Sequence, residues 1–147
     1  MKSRIINEAG EGAQRSFALI FATGDEVVSG LLAFAREHDL TAAQFSGIGA
    51  LSGLVLGYFD WETKAYKRIP VTEQVEVVSL LGNVALGPDD KPSVHPHIVV
   101  AGADGMARGG HLMAAHVRPT LEIVLTESPT HLQRRKDAAS GLALIRL

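Results

Sequence analysis

The chain has 147 residues, 46% hydrophobic and 20% charged, with a formal net charge of −2 and no cysteine. That length holds one core and one domain, and the composition excludes long disordered tails. The charge offers no basic excess for gripping nucleic-acid phosphates, and disulfides, thiol catalysis and Cys-type zinc fingers are ruled out, so a metal would need His, Asp or Glu ligands.

Residues 1–15 read as a polar lead-in or a short edge strand. The opening "MKSRIINEAGEG" carries no apolar h-region. No apolar run approaches the roughly 20 residues of a bilayer span, so a cytoplasmic location is expected. "SFALIFAT" (16–23) has the apolar run of a buried strand. A helix follows in "TGDEVVSGLLAFAREHDL". Thr23 or Asp25 can cap it, Asp25 and Glu26 suit its positive end, and Val27, Leu31, Phe34 and Ala35 recur at helical spacing. It should end near His38.

Beyond this point the signals are β. "AAQFSGIG" and "LSGLVLGYFD" read as strands joined by a tight glycine turn, and "KAYKRIPV" as another. "EQVEVVSLLGNVAL" alternates, with Val75 and Val77 opposite Glu76 and Val78. "HPHIVVAGA" and "GGHLMAAHV" flank a turn. In "PTLEIVLTE", Leu121, Ile123 and Leu125 face one way, Glu122 and Val124 the other. A polar loop precedes a last strand, "GLALIRL". Short links between successive strands favour a mostly antiparallel or mixed sheet with one main helix packed on it, an α+β fold in a single domain spanning 1–147.

The stretch "SVHPHIVVAGADGMARGGH" holds three of the six histidines. In an extended strand His95 and His97 project to the same face. Pro96 between them cannot donate to a ladder, which calls for a sheet edge, a position needing no bond, or a bulge. "ADG" suits a three-residue loop with Gly105 left-handed and Gly102 closing against Met106. Paired residue numbers then sum to 208 and His97 faces His111, so three imidazoles share one patch. A two-residue turn shifts the sum and sends His111 to the other face, and a bulge at Gly109-Gly110 would also undo the register. The alternative is a polar strand face with no metal. Zinc, or another divalent metal that accepts imidazole, suits such a set, leaving an open position for a small ligand. His116 should lie opposite His111 because of the odd spacing, His131 is a weaker candidate, and His38 reads as a cation near a helix end.

Other motifs are weaker. "GIGALSG" (47–53) misses the G-x-G-x-x-G spacing and precedes a strand, so nucleotide binding is not supported. "GGH" and "GNVALG" read as turn or bulge chemistry. Ser46, Ser52 and Ser79 lack a nucleophile setting. Glu76 and Glu122 are candidate general bases, with Glu127 a third carboxylate in or beside a strand; each is equally readable as a rim residue paired with Arg68 or Arg118. Arg134, Arg135 and Lys136, the basic cluster of the chain, read as a solvated loop.

Taken in order, "GIGALSGLVLGYFD", "YKRIPVTEQVEVVSLLGNVAL", "HPHIVVAGADGMARGGHL" and "VRPTLEIVLTE" resemble the PPC (plants and prokaryotes conserved) domain from about Phe17 to Leu147. The resemblance implies an α+β homotrimer. In plant members the domain accompanies a basic AT-hook and serves oligomerisation and nuclear contacts. This chain has no such hook, so DNA association would run through partners and direct DNA binding is not expected. Single-domain prokaryotic members resemble this chain in the positions of His95, His97 and His111, where the set looks like a metal site. Plant members lack these histidines, so the fold does not need them. Two functions follow as expectations. One is a trimeric zinc protein that binds or processes a small ligand, with metal-assisted hydrolysis or a proton transfer as the reaction if it catalyses one. The other is a non-catalytic assembly module.

Overall fold

Nine strands and one helix follow each other in the computed structural model, which describes residues 1–7 and 14–147. They are β1 (Lys2–Asn7), β2 (Ser16–Ala22), α1 (Val27–Glu37), β3 (Ala42–Asp60), β4 (Ala65–Val71), β5 (Val75–Leu86), β6 (Pro92–Ala101), β7 (Ala107–Glu127), β8 (Gln133–Lys136) and β9 (Ala143–Arg146). Part of the expected lead-in is thus an edge strand, antiparallel to β2; residues 8–13 lie outside the described residues. The α+β class holds, with β-sheet dominant and the helix single and short.

The sheet runs β1-β2-β7-β3-β5-β8-β9, and β4 pairs with β3. β6 pairs with both β5 and β7, so β3, β5, β6 and β7 close on one another. All pairings are antiparallel except the single β5–β8 bridge, Leu86 to Gln133. α1 lies against β6 and β7. It buries Val27, Leu31, Phe34 and Ala35, the four residues at helical spacing. On the strands the alternation also holds: Val75, Val77, Leu121, Ile123 and Leu125 are in the core, while Glu76, Val78, Glu122 and Val124 face out. In β2 only alternate residues, Phe17, Leu19 and Phe21, are buried, and Ile20 is exposed.

Three local expectations are corrected. The helix cap is Glu26, whose carboxylate accepts from the N–H groups of Val28 and Ser29 and also from Ala115 in β7. Thr23 and Asp25 are engaged elsewhere, Thr23 donating to the Pro119 carbonyl and Asp25 accepting from the Ala22 N–H. "GIGALSG" is not a turn. It lies inside the 19-residue strand β3, which absorbs its glycines as register shifts at 47/49 and 51/53. Gly49 sits at φ +154°, and a Cβ there would run into the β7 backbone at Thr120 and Leu121, so no side chain fits. "GGHLMAAHV" and "PTLEIVLTE" likewise merge into one 21-residue strand, β7. Long strands with bulges bend around a core that short straight ones would leave open.

Candidate metal centre

The loop between β6 and β7 determines what the histidines can do. Gly105 has φ +76°, its N–H donates to the Gly102 carbonyl at 2.9 Å, and the Gly102 N–H donates to Met106 at 3.1 Å. This is the three-residue loop, and His97 pairs with His111. The Gly109-Gly110 pair is not a bulge: Val99 meets Gly109 and Ile98 meets Gly110 in unbroken register. Their hydrogens instead permit close approach, since a Cβ on Gly110 would stand 3.0 Å from the Gly57 carbonyl oxygen. Proline is tolerated at 96 because the β7 ladder begins only at His97, leaving β5 alone beside that residue.

His95, His97 and His111 therefore meet. Each offers a ring nitrogen within 4.8 Å of the others. The Nε2 atoms of His95 and His97 are 3.2 Å apart, close to the roughly 3.3 Å edge of a tetrahedron with zinc–nitrogen bonds near 2.05 Å. Ring centroids lie 5.0 to 5.3 Å apart. Nδ1 of His111 is buried and has no hydrogen-bond partner among the described residues. Buried polar atoms are almost always satisfied, so this one is open to a partner from outside the chain. Burial, followed by the charges of His95 and His97, pushes the His111 imidazole down to about 4. Burial, then His97 and Arg134, lowers His95 as well. Both shifts favour the neutral ring, the form that ligates metal.

The other predicted residues lie elsewhere. Glu76 pairs with Ala101, five positions along β5 from Leu81, the partner of His97. That is roughly 16 Å at the rise of a strand. Glu122 is eleven residues beyond His111 on β7, in a groove lined by Ile20, Ile48 and Val78. Neither carboxylate joins the imidazoles, and among the described residues the cluster is histidine only. Glu127 pairs with Arg15 rather than Arg68 or Arg118. His116 is exposed and outside the cluster, though not for the reason its spacing gave. The register shifts between Val55–Ala114 and Leu56–Leu112, so Leu112 and Ala115, three apart, both enter the core. The bulge returns His116 to the side of the sheet facing away from the core, where His111 also lies. His38 caps α1 and stacks on Phe34, ring centroids 4.2 Å apart.

Two neighbours of the site escaped sequence reasoning. Tyr66 in β4 packs its ring on His111, centroids 5.0 Å apart. Arg134 is not solvated: it is 3% exposed, its guanidinium donating to the Ser93 carbonyl at 2.9 Å and to the Asn83 side chain. Asn83 is the cross-strand partner of His95. Arg134, Tyr66, His95 and His111 line a cavity of about 170 Å³, walled on its apolar side by Val94, Leu142 and Leu144. Periodicity marks Tyr66 only as a strand residue, and nothing local marks Arg134.

Residues 8–129 match the family model of the Plants and Prokaryotes Conserved (PCC) domain. The chain resembles a plant- and prokaryote-conserved protein from Pyrococcus horikoshii at 31% identity and a TM-score of 0.85, covering 96% of this chain and 98% of that one. It resembles a candidate DNA-binding protein from Bacteroides thetaiotaomicron at 28% identity and a TM-score of 0.83, covering 95% and 94%. A metal-containing protein from Archaeoglobus fulgidus is 35% identical with a TM-score of 0.81 over 100% of both chains. A curated relative, the bifunctional protein GlmU of a Synechococcus strain, is 34% identical over 133 residues, 88% of this chain. The chain spans 20% of that relative's length.

Proposed function

Because the chain belongs to the Plants and Prokaryotes Conserved domain family, we propose that it is a trimeric metal-binding member, with His95, His97 and His111 holding one divalent ion and a position beside it left for a small ligand. The observation that carries the reading is the convergence of one ring nitrogen from each of His95, His97 and His111 within 4.8 Å, with Nδ1 of His111 buried and unpartnered among the described residues. The donor set is all imidazole, which suits zinc and related first-row metals. The metal-containing Archaeoglobus relative is consistent with it.

Bound there, zinc would supply Lewis-acid polarisation of an oxygen-bearing ligand. The chain does the rest. Its loop fixes the His97–His111 pairing, desolvation keeps His95 and His111 unprotonated, and Tyr66 buttresses the His111 ring. Among the described residues no carboxylate joins the cluster, and Glu76 and Glu122 lie too far along their strands to act as bases there.

Self-association is supported by the outer sheet face. Ile20, Ile48, Val78, Leu81, Val99 and Val124 are all exposed, Ile48 at 62%. Register joins them into one stripe: Ile20 and Ile48 flank Glu122 on either side, and Val99 pairs with Ser79, next to Val78. A contiguous apolar stripe across five strands calls for a cover. His97 borders it, lining a small cleft with Leu81 and Val99. The site would then lie beside the subunit contact.

Direct duplex binding is the competing reading, favoured by the description of the Bacteroides relative. A net charge of −2, and the burial of Arg134 out of the basic cluster, oppose it. Elemental analysis of protein purified without chelator, beside His97→Ala, tests the metal reading. About one metal per chain is expected, absent in the variant while light scattering still gives a trimer. Wild-type protein that is metal-free and takes up no added zinc would refute it, and a salt-dependent duplex shift by that protein would favour the competitor.

A further inference from the structure

Among the described residues Arg134 has no counter-ion. Arg15 pairs with Glu127, Arg108 with Glu73 and Arg146 with Asp137, yet among the described residues no carboxylate oxygen lies within 4.0 Å of Arg134. It is also by far the most buried of these four, at 3% exposure. Buried cations are ordinarily paired with an acid, because desolvating an unpaired charge costs several kcal/mol in order of magnitude. Two neutral acceptors, the Ser93 carbonyl and the Asn83 amide oxygen, engage two of the five guanidinium N–H groups. They fix the group but bring no negative charge.

Arg134 lines the same cavity as His95 and His111. Asn83, bonded to Arg134, sits directly across the ladder from His95. A cation and two of three candidate metal ligands thus converge on one space of about 170 Å³. At roughly 30 Å³ per water in the liquid, that space holds about five or six non-hydrogen atoms. Val94, Leu142, Ala143 and Leu144 make most of the remaining wall apolar, with Ser93 also lining it, which suits a short carbon skeleton better than a bare inorganic ion.

We propose that Arg134 anchors the carboxylate of a small organic acid whose neighbouring oxygen points at the histidine cluster, so that the ligand class of the site is a short 2-hydroxy or 2-oxo monocarboxylate. The planar guanidinium fits a carboxylate through two parallel N–H bonds. The ligand supplies the missing counter-charge, and its second oxygen reaches the imidazole side of the cavity. This deepens the metal reading, and only the orientation of the ligand rests on it. The anchoring by Arg134 does not.

Calorimetric titration of the full chain with lactate, lactamide and inorganic phosphate, each with and without one equivalent of zinc, tests the assignment. Lactate is expected to bind at least about ten-fold tighter than the neutral amide, a difference of 1.4 kcal/mol, and tighter than phosphate. The preference should persist in weakened form without zinc, and Arg134→Gln should abolish it with zinc content unchanged. Ala143→Phe fills the cavity from β9 and leaves Arg134 and the histidines in place, so it should block lactate even if Arg134→Gln fails to fold. Equal affinity for acid and amide, tighter binding of phosphate, or lactate uptake that survives Ala143→Phe overturns the assignment. Failure to take up zinc, with the acid-over-amide preference intact, refutes the metal reading and leaves Arg134 as the anchor.

Discussion

Two hairpins wall the same cavity and do so by different means. The β6–β7 hairpin presents His97 and His111 from an unbroken ladder closed by Gly105 at φ +76°, with His95 two residues beyond it on β6, paired to β5. The β8–β9 hairpin presents Arg134 from a four-residue strand tied to the main sheet by one parallel bridge. It too turns through a glycine at φ +76°, Gly141. The first places its groups by backbone register alone. The second is held by what its side chains reach: Arg134 to Ser93 and Asn83, Gln133 to the Gly87 carbonyl, and Asp137 to Ser140 and Arg146. Changing a histidine should therefore alter zinc binding without altering stability, whereas changing Arg134 should lower stability and leave zinc binding nearly unchanged.

The largest effect belongs to the histidines. His97→Ala removes a direct ligand and should weaken zinc binding by more than the roughly 10–100-fold that loss of an outer-shell partner costs, read by competition with a chromogenic chelator. In the metal-free state the same change, at an exposed position, should leave stability within about 0.5 kcal/mol of wild type by urea denaturation. A shift of several kcal/mol would mean the ladder is not what holds this hairpin.

Arg134→Met inverts that pattern. Losing charge-assisted bonds to Ser93 and Asn83 should cost about 2 kcal/mol in the metal-free protein, seen as a lower urea midpoint, with zinc affinity changed less than ten-fold.

Acid sharpens the contrast. The folded-state value of His111 is lowered to about 4, against 6.5 for the free group. Between those values the unfolded chain binds the proton and the folded one does not, so stability is full above about pH 6.5 and is lost as pH falls toward 4. Metal-free wild type should lose stability between pH 7 and 5, and His111→Gln should lose less over the same interval. Equal pH slopes would contradict the burial of this ring.

The smallest effect compares the two turns. Neither Gly105 nor Gly141 has an atom within 4 Å of where a Cβ would stand, so Ala at either meets backbone strain alone. Each substitution should cost about 1 kcal/mol. A much larger loss at Gly141 would show that the C-terminal hairpin depends on its turn as well as on its side chains.

This contrast also explains what the sequence disclosed. Alternation and the spacing of Val27, Leu31, Phe34 and Ala35 are local signals, and they located the helix, the core faces of β5 and β7 and the His97–His111 pairing. "ADG" is local too. The bulges were invisible because a bulge depends on the strand alongside. That hid the continuity of β3 and β7 and misjudged the side taken by His116. Arg134 was hidden more deeply. Its burial follows from the Leu86–Gln133 bridge and from Asn83, 51 residues away in sequence, and "QRRK" looks the same whether solvated or buried. Glu76 and Glu122 were reasonable bases by type and lie far from the site by position, since residue type carries no distance along a strand.

The most direct measurement is anomalous diffraction, collected at the zinc edge from crystals of the zinc-loaded protein. The account predicts one anomalous peak per chain, about 2.0–2.1 Å from a ring nitrogen of each of His95, His97 and His111. A peak seated elsewhere, or crystals that hold no zinc while the three rings keep their mutual contacts, would contradict it.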